Sequence, residues 1–157
     1  MDLPQYDWTI LLGYFLKIGA TFLLALPIAW ERERATRIMG LRTFPLVAVA
    51  SCGYALLAIA TVGLASDAQA RIIQGLMSGI GFIGGGAILK EGATVRGTAT
   101  AASIWTTGAL GAAIAYNQYE LALLLSLVTY LTLRLLTPLE QQIDKADQHT
   151  PVEFTKD

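Results

Sequence analysis

Residues 72–89 read IIQGLMSGIGFIGGGAIL, an uncharged stretch with six glycines between Gly75 and Gly86. A helix of about 18 residues without charge is long enough to be a candidate membrane span. Glycine in such a helix lets a neighbouring backbone approach closely. This stretch therefore predicts a membrane helix that packs tightly against its neighbours through its glycines.

Four further apolar stretches fill most of the 157 residues, of which 54% are hydrophobic. They stay apolar on all sides, whereas the helices of a soluble protein would alternate apolar and polar faces. We therefore predict an all-α, polytopic membrane helix bundle in residues 1–137 and a short polar cytoplasmic tail, partly disordered, in 138–157. The five predicted spans are 8–30, 44–64, 72–89, 99–116 and 119–136.

The basic residues predict the orientation of these spans. Nine lysines and arginines fall in segments 31–43 and 90–98, at the end of the fifth span (Arg134) and after it, whereas Arg71 alone lies on the opposite side. Because basic loops stay in the cytoplasm, the N-terminus is predicted outside and the C-terminus inside. The first helix should continue past the membrane and end at Gly40, and Thr43 should cap the second.

Composition excludes several classes of protein. The net charge of −1 gives no reason to expect a nucleic-acid partner. Cys52 is the one cysteine, so no internal disulfide can form, and we interpret it as a small buried residue. The N-terminus lacks the basic segment of a cleavable signal, and His149 has no second ligand nearby for a metal.

Gly79, Gly81 and Gly84 spell G-x-G-x-x-G, the pattern of a dinucleotide-binding loop. That loop needs a preceding strand and an acid about 20 residues later, and neither is present. Two interpretations stay open for this helix. Its glycines pack against a neighbouring helix, or it is broken and its carbonyls line a transport path.

Lys17 is a charged residue within the first predicted span, about 13 Å from Trp8 at the helical rise. A charge at that depth is costly, so it is a candidate functional residue. The alternatives are a side chain that reaches the interface or one that is hydrogen-bonded to carbonyls inside the bundle.

Other chemistry finds little support. Glu31, Glu33, Glu91 and Glu120 all lie at span ends, which argues weakly against a dedicated magnesium channel, because that ion favours carboxylates or clustered carbonyls. The hydroxyls of the fourth span are expected to bond their own helix or a neighbour: Thr100, Ser103, Thr106 and Thr107. No nucleophile and base are suitably placed, so we predict no enzyme, no cofactor and no metal site.

Two blocks of sequence resemble the MgtC/SapB membrane proteins. Residues 29–47 read AWERERATRIMGLRTFPLV, and residues 79–105 read GIGFIGGGAILKEGATVRGTATAASIW. The family pattern has an E-R pair, G-L-R-T, G-I-G-F-x-G-x-G, an E-G-x-x-V-R-G loop and T-A-A-x-x-W. The chain departs from it at 26–29 and at Thr98–Ala99. The residues that match and are candidate functional positions are Glu31, Arg32, Gly40, Arg42, Thr43, Gly79, Gly81, Gly84, Gly86, Glu91, Arg96, Thr100 and Trp105.

The resemblance implies a bacterial inner-membrane protein linked to magnesium limitation, acid stress and virulence, and a link to the ATP synthase in some members. Our first hypothesis is a non-enzymatic regulator that contacts another membrane complex through Glu31, Arg32, Arg42, Glu91 and Arg96. The alternative is an ion or solute transporter with a path along the glycine helix past Lys17. We expect membrane lipid around the bundle and a homo-oligomer, such as a dimer, that associates through small-residue faces.

Overall fold

The computed structural model describes residues 7–36, 39–64, 67–91 and 94–147, without the side chains of Thr36, Glu91, Thr94 and residues 140–147. The described part folds into five helices: α1 (Trp8–Thr36), α2 (Thr43–Val62), α3 (Asp67–Gly85), α4 (Thr98–Ala115) and α5 (Tyr119–Asp147). A short antiparallel hairpin, β1 (Leu89–Glu91) with β2 (Thr94–Arg96), joins α3 to α4. The prediction of an all-α membrane bundle is confirmed.

The glycine-rich stretch is only partly helical. α3 begins at Asp67 and ends at Gly85, and Gly86 and Ala87 form a turn that leads into β1 at Leu89. The prediction of a helix through residue 89 was therefore wrong at its C-terminal end. Three consecutive glycines at 84–86 explain the stop, because glycine loses the most conformational freedom when a helix forms.

The last helix is longer than predicted. α5 continues through Pro138 to Asp147, beyond the predicted span end at 136, so residues 138–147 of the predicted tail are helical, and 148–157 lie outside the described residues. Proline removes one hydrogen bond from a helix interior, and this 29-residue helix continues on both sides of Pro138.

Two predicted helix ends are also corrected. Gly40 does not end α1. The helix ends at Thr36, and Met39 and Gly40 are not helical. Thr43 is the first residue of α2, and its N-cap position is Arg42, without a side-chain cap bond. At the start of α1, by contrast, the Asp7 carboxylate accepts hydrogen bonds from the Thr9 hydroxyl and backbone N–H, which lower the pKa of Asp7.

α4 is the central helix of the bundle, because it packs against all four others. Two of its residues let it approach closely. A Cβ on Gly111 would overlap the Ala48 carbonyl of α2, and a Cβ on Gly108 would overlap the Ile80 side chain of α3. Among the described helices, the tightest packing of a glycine against another helix thus lies on α4 and not along α3.

Three of the described helices are long and apolar enough to cross a membrane: Trp8–Ala35, Thr43–Val62 and Tyr119–Leu139. α3 begins with a polar turn, and α4 is rich in small and hydroxyl residues. The composition of α4 follows from its central position, because its sides face other helices more than lipid. The spans 72–89 and 99–116 and the predicted orientation of the bundle stay predictions.

Candidate functional site

The two sequence blocks meet at one end of the bundle, which we call the motif end. It is formed by residues 30–36 of α1, residues 39–43, the β hairpin and the first turn of α4. Gly40 lies directly against α1, where a Cβ would overlap the side chain and backbone of Glu33. The Leu41 N–H donates to Glu33 Oε2 at 3.1 Å, so Glu33 holds the 39–43 segment in place.

Arg32 and Thr100 connect the two blocks inside the bundle. Arg32 Nη2 donates to Thr100 Oγ1 at 2.5 Å, and the residues are 4% and 2% exposed. A buried guanidinium is tolerated only where hydrogen-bond acceptors replace water. Arg32 therefore acts within the protein, joining the end of α1 to the start of α4, and it is not part of the outer surface.

The neighbouring residues of α1 make two surface contacts. Arg134 of α5 donates to Glu31 Oε2 at 3.3 Å, an ion pair that ties α5 to α1. The Arg34 guanidinium lies over the Trp30 ring, 5.4 Å from its centroid. An aromatic ring beside exposed arginines is typical of a membrane interface.

Three further basic side chains are exposed at the motif end: Arg42, Lys90 and Arg96. The hairpin that carries two of them is fixed by Gly97, whose φ of +88° is a left-handed conformation that favours glycine. A Cβ there would also overlap the Ala87 carbonyl. Glu91 belongs to β1, but its side chain lies outside the described residues.

The family-motif glycines of α3 have different surroundings. Gly84 packs closely on α4, where a Cβ would lie 3.2 Å from the Ala101 carbonyl oxygen, and a Cβ on Gly86 would lie 3.3 Å from the Ile83 carbonyl oxygen. A Cβ on Gly79 or Gly81 would meet nothing within 4 Å. Gly79 lines an open apolar groove of about 530 Å³ between α2 and α3. Most of the glycine helix is therefore unpacked within one chain.

The hydroxyls of α4 behave in two ways. Ser103, Thr106 and Thr107 donate to carbonyls of their own helix at 2.7–3.1 Å, as hydroxyls in membrane helices commonly do. Thr100 is different, because it accepts the bond from Arg32. Trp105 is half exposed and lines a groove that α3, α4 and α5 share.

Lys17 is bonded to a carbonyl inside the bundle. Its Nζ donates to the Ala115 carbonyl at 3.1 Å, at the C-terminal end of α4. A cation there satisfies an otherwise unpaired carbonyl and lies at the negative end of the helix dipole. Thr21, one turn along α1, is fully buried and donates to the Lys17 carbonyl at 2.8 Å.

Gln69 was not among the residues predicted from the sequence, and it connects three segments at the other end of the bundle. It is 5% exposed. With its amide oxygen accepting from the Tyr116 hydroxyl at 2.6 Å, its nitrogen donates to the carbonyls of Gly63, at 2.9 Å, and Leu64. No signal in the sequence distinguishes this glutamine from a solvated residue at a helix start. The packing role of Gly108 and Gly111 was also missed, although their i, i+3 spacing on an apolar helix is visible.

The described residues contain no group of three or more histidine, cysteine, aspartate or glutamate side chains that could hold a metal ion. The motif end instead combines an internal arginine with a rim of exposed basic side chains. Such an arrangement can bind an acidic surface electrostatically.

Residues 18–142 match the sequence profile described as the MgtC family. Protein SrpB of Synechococcus elongatus is 37% identical over 143 residues, which cover 83% of this chain and 77% of SrpB. Protein MgtC of Salmonella typhimurium is 34% identical over 136 residues, 87% of this chain and 58% of that protein.

Protein MgtC of Brucella abortus is 39% identical over 94 residues, or 60% of this chain and 39% of that protein. The chain thus spans little more than half the length of the Salmonella protein, and less of the Brucella protein. No solved structure matches the chain.

Proposed function

Because the chain belongs to the MgtC family, we propose that it is a multi-pass protein of the bacterial inner membrane that regulates another membrane complex under magnesium limitation or acid stress. The observation that carries the proposal is the motif end. There the two sequence blocks, far apart in the chain, come together around the Arg32–Thr100 bond. This proposed role is regulatory and not enzymatic, and it includes a contribution to virulence in pathogens.

The partner-binding surface of this proposal is the exposed basic rim. Arg42 on the 39–43 segment and Arg96 on the hairpin are exposed side chains, and the buried Arg32 holds the elements beneath them. With the N-terminus outside, this rim faces the cytoplasm. Its charge fits an acidic cytoplasmic surface of a complex such as the ATP synthase.

Arg42→Ala tests this surface. We expect the variant to reach the membrane in normal amounts but to lose the ability to support growth at low magnesium in a bacterium that lacks its own MgtC. The substitution removes a charge from the rim. It breaks none of the contacts within the bundle that are described above. The measurement is growth rate together with the amount of protein in the membrane fraction.

Arg71→Ala is the matched control, because Arg71 is also an exposed arginine but lies near the start of α3, at the other end of the bundle. It should support growth as well as the unchanged chain. Normal growth with Arg42→Ala would rule out this residue as part of the contact surface. Equal loss in both variants would indicate a general effect of charge.

Transport is the alternative function, and one observation argues against the path first considered. The glycine groove lies on the face of α2 that carries Ala50 and Tyr54. Lys17 of α1 donates instead to the Ala115 carbonyl of α4, and α4 packs against α2 through Gly111 and the Ala48 carbonyl. A single path along the α3 glycines and past Lys17 would have to cross this contact between α2 and α4.

Flux through liposomes tests the alternative. We expect the purified chain to carry no magnesium, protons or small anions above the background of empty liposomes. The Lys17→Met variant should behave identically, with Lys17→Arg as the matched control. Robust flux that Lys17→Met abolishes and Lys17→Arg retains would favour a transporter over the regulator.

We also propose that the chain forms a homo-oligomer, such as a dimer, within membrane lipid. Gly75 and Gly79 lie one turn apart on α3 and pack against nothing in their own chain. Small residues at this spacing allow two membrane helices to approach closely. The mass of the solubilised chain, corrected for bound detergent, tests this proposal.

A further inference from the structure

Two cross-helix contacts fix how α1 and α4 are aligned. Lys17 contacts Ala115 at one level, and Arg32 contacts Thr100 at another. The two contacts are fifteen residues apart on each helix, so the helices run antiparallel and in step. The last residue of α4 therefore lies level with Lys17 and not with the start of α1.

α5 is aligned in the same way, but parallel to α1. The Ser126 hydroxyl donates to the Leu24 carbonyl at 2.7 Å, and Arg134 pairs with Glu31. Continued to its first residue, Tyr119, this alignment also ends at the level of Lys17. α3 instead begins beyond that level, because its Ile80 lies against Gly108 of α4 and its first-turn Gln69 donates to the carbonyls of Gly63 and Leu64 at the end of α2.

α1 and α2 extend further. From Lys17, α1 continues nine residues to Trp8, about 13 Å at the helical rise. Gly111, four residues before the end of α4, lies against Ala48 and Cys52 of α2, and α2 continues to Val62, so that α2 also passes the end of α4. This end of the bundle is therefore stepped, with α1, α2 and the start of α3 high and with α4 and α5 low.

The projecting part of α1, Trp8–Leu16, is apolar on every face and largely uncovered. Trp8 is 74% exposed, Phe15 72% and Leu16 60%. A helix that is apolar all round belongs in lipid, whereas a protein partner would cover one face only. The same exposed surface continues along α1 through Phe22 and Leu23, where the bundle already faces lipid.

The two tryptophans of α1 agree with this placement. Trp8 and Trp30 are 22 residues apart, about 33 Å along a helix, close to the roughly 30 Å of a bilayer's hydrocarbon core. Tryptophan prefers the interface between lipid and water. With Trp30 at one interface, Trp8 lies at the other, and the low end of the bundle lies within the depth of the membrane.

The low end is polar. Asn117, Gln118 and Glu120 are exposed there, and the Lys17 ammonium lies at the same level. Hydrocarbon cannot solvate these groups, because an unsatisfied polar or charged group at that depth costs several kcal/mol. Water must therefore reach them past the ends of α4 and α5.

We propose that this end of the protein forms a water-filled recess in the membrane. Its floor is the turn between α4 and α5, and its wall is the lipid-embedded projection of α1 together with the end of α2 and the start of α3. The apolar distance through the bundle, from Lys17 to Arg32, falls to about 22 Å. This inference does not rest on the proposed regulatory function.

Spin labels on single introduced cysteines test the recess in liposomes that contain the full chain. Gln118→Cys reports on the floor, Leu12→Cys on the wall, and Leu23→Cys is the matched control for a lipid-facing position. Gln118 is chosen over Asn117 because Asn117 has a φ of +60°, which a cysteine would strain. The unchanged chain gives the background, since its one cysteine, Cys52, is buried.

The labels are exposed in turn to oxygen, which concentrates in lipid, and to a water-soluble nickel complex. We expect the label at Gln118 to collide with nickel several times more often than the label at Leu12. The labels at Leu12 and Leu23 should both favour oxygen. A nickel-accessible label at Leu12 would overturn the proposal, because the projection would then stand in water. An oxygen-accessible, nickel-protected label at Gln118 would overturn it too, because the floor would then be dry.

Discussion

Gly111→Ala is expected to lower the free energy of unfolding by about 3 kcal/mol, or to prevent folding altogether. The added Cβ would overlap the Ala48 carbonyl, which belongs to the backbone of α2 and cannot rotate away. The central helix would have to separate from α2 along their whole contact. Thermal unfolding of the solubilised chain, followed by near-UV circular dichroism, measures the loss.

Gly53→Ala is the matched control for this prediction. Gly53 lies on α2, but a Cβ there would meet nothing within 4 Å. The free energy of unfolding of this variant should change by less than about 1 kcal/mol, the usual difference between glycine and alanine in a helix. A Gly53→Ala variant less stable than Gly111→Ala would contradict the assignment of α4 as the tightly packed centre.

Thr100→Val is expected to destabilise the bundle by about 2 kcal/mol. Valine keeps the shape of threonine but removes the oxygen that accepts from Arg32 Nη2, and both residues are almost fully buried. Loss of a hydrogen bond from a buried charge costs more than loss of a neutral one. The measurement is again unfolding of the solubilised chain, and Thr100→Ser should retain most of the stability.

Thr106→Val provides the comparison on the same helix. The Thr106 hydroxyl donates to the Ala102 carbonyl of the same helix, which keeps its helical hydrogen bond when the hydroxyl is removed. The free energy of unfolding should therefore change by less than about 1 kcal/mol. A double-mutant cycle with Arg32→Met isolates the coupling between Arg32 and Thr100. Additive effects in that cycle would show that the bond contributes nothing to joining the two sequence blocks.

Sequence patterns predicted the helices well and their ends less well. Apolar stretches identified all five helices of the described residues, since an apolar stretch is a property of consecutive residues. Helix ends depend on local competition, and there the predictions failed in both directions. α3 stopped at its triple glycine before residue 89, whereas α5 continued through Pro138.

The site was predicted by resemblance and only partly by physical reasoning. The motifs include Arg32 and Thr100 but do not indicate that the two residues are in contact. They are 68 residues apart, and no local sequence pattern predicts the hydrogen bond between them. The motif glycines suggested tight packing along α3. Whether a glycine is packed depends on what lies opposite, and for Gly79 and Gly81 the chain places nothing there.

The glycine-rich stretch at 72–89 and the apolar stretches around it determined by themselves that this is a helical membrane protein of the MgtC family. Hydrophobic stretches and the family motifs are properties of consecutive residues, so the sequence alone is enough to identify them. Only the tertiary structure decided that α4 is the central helix, that Arg32 is internal, and that Lys17 lies level with the end of α4. These facts depend on the alignment of one helix against another, which is set by contacts between residues far apart in the chain.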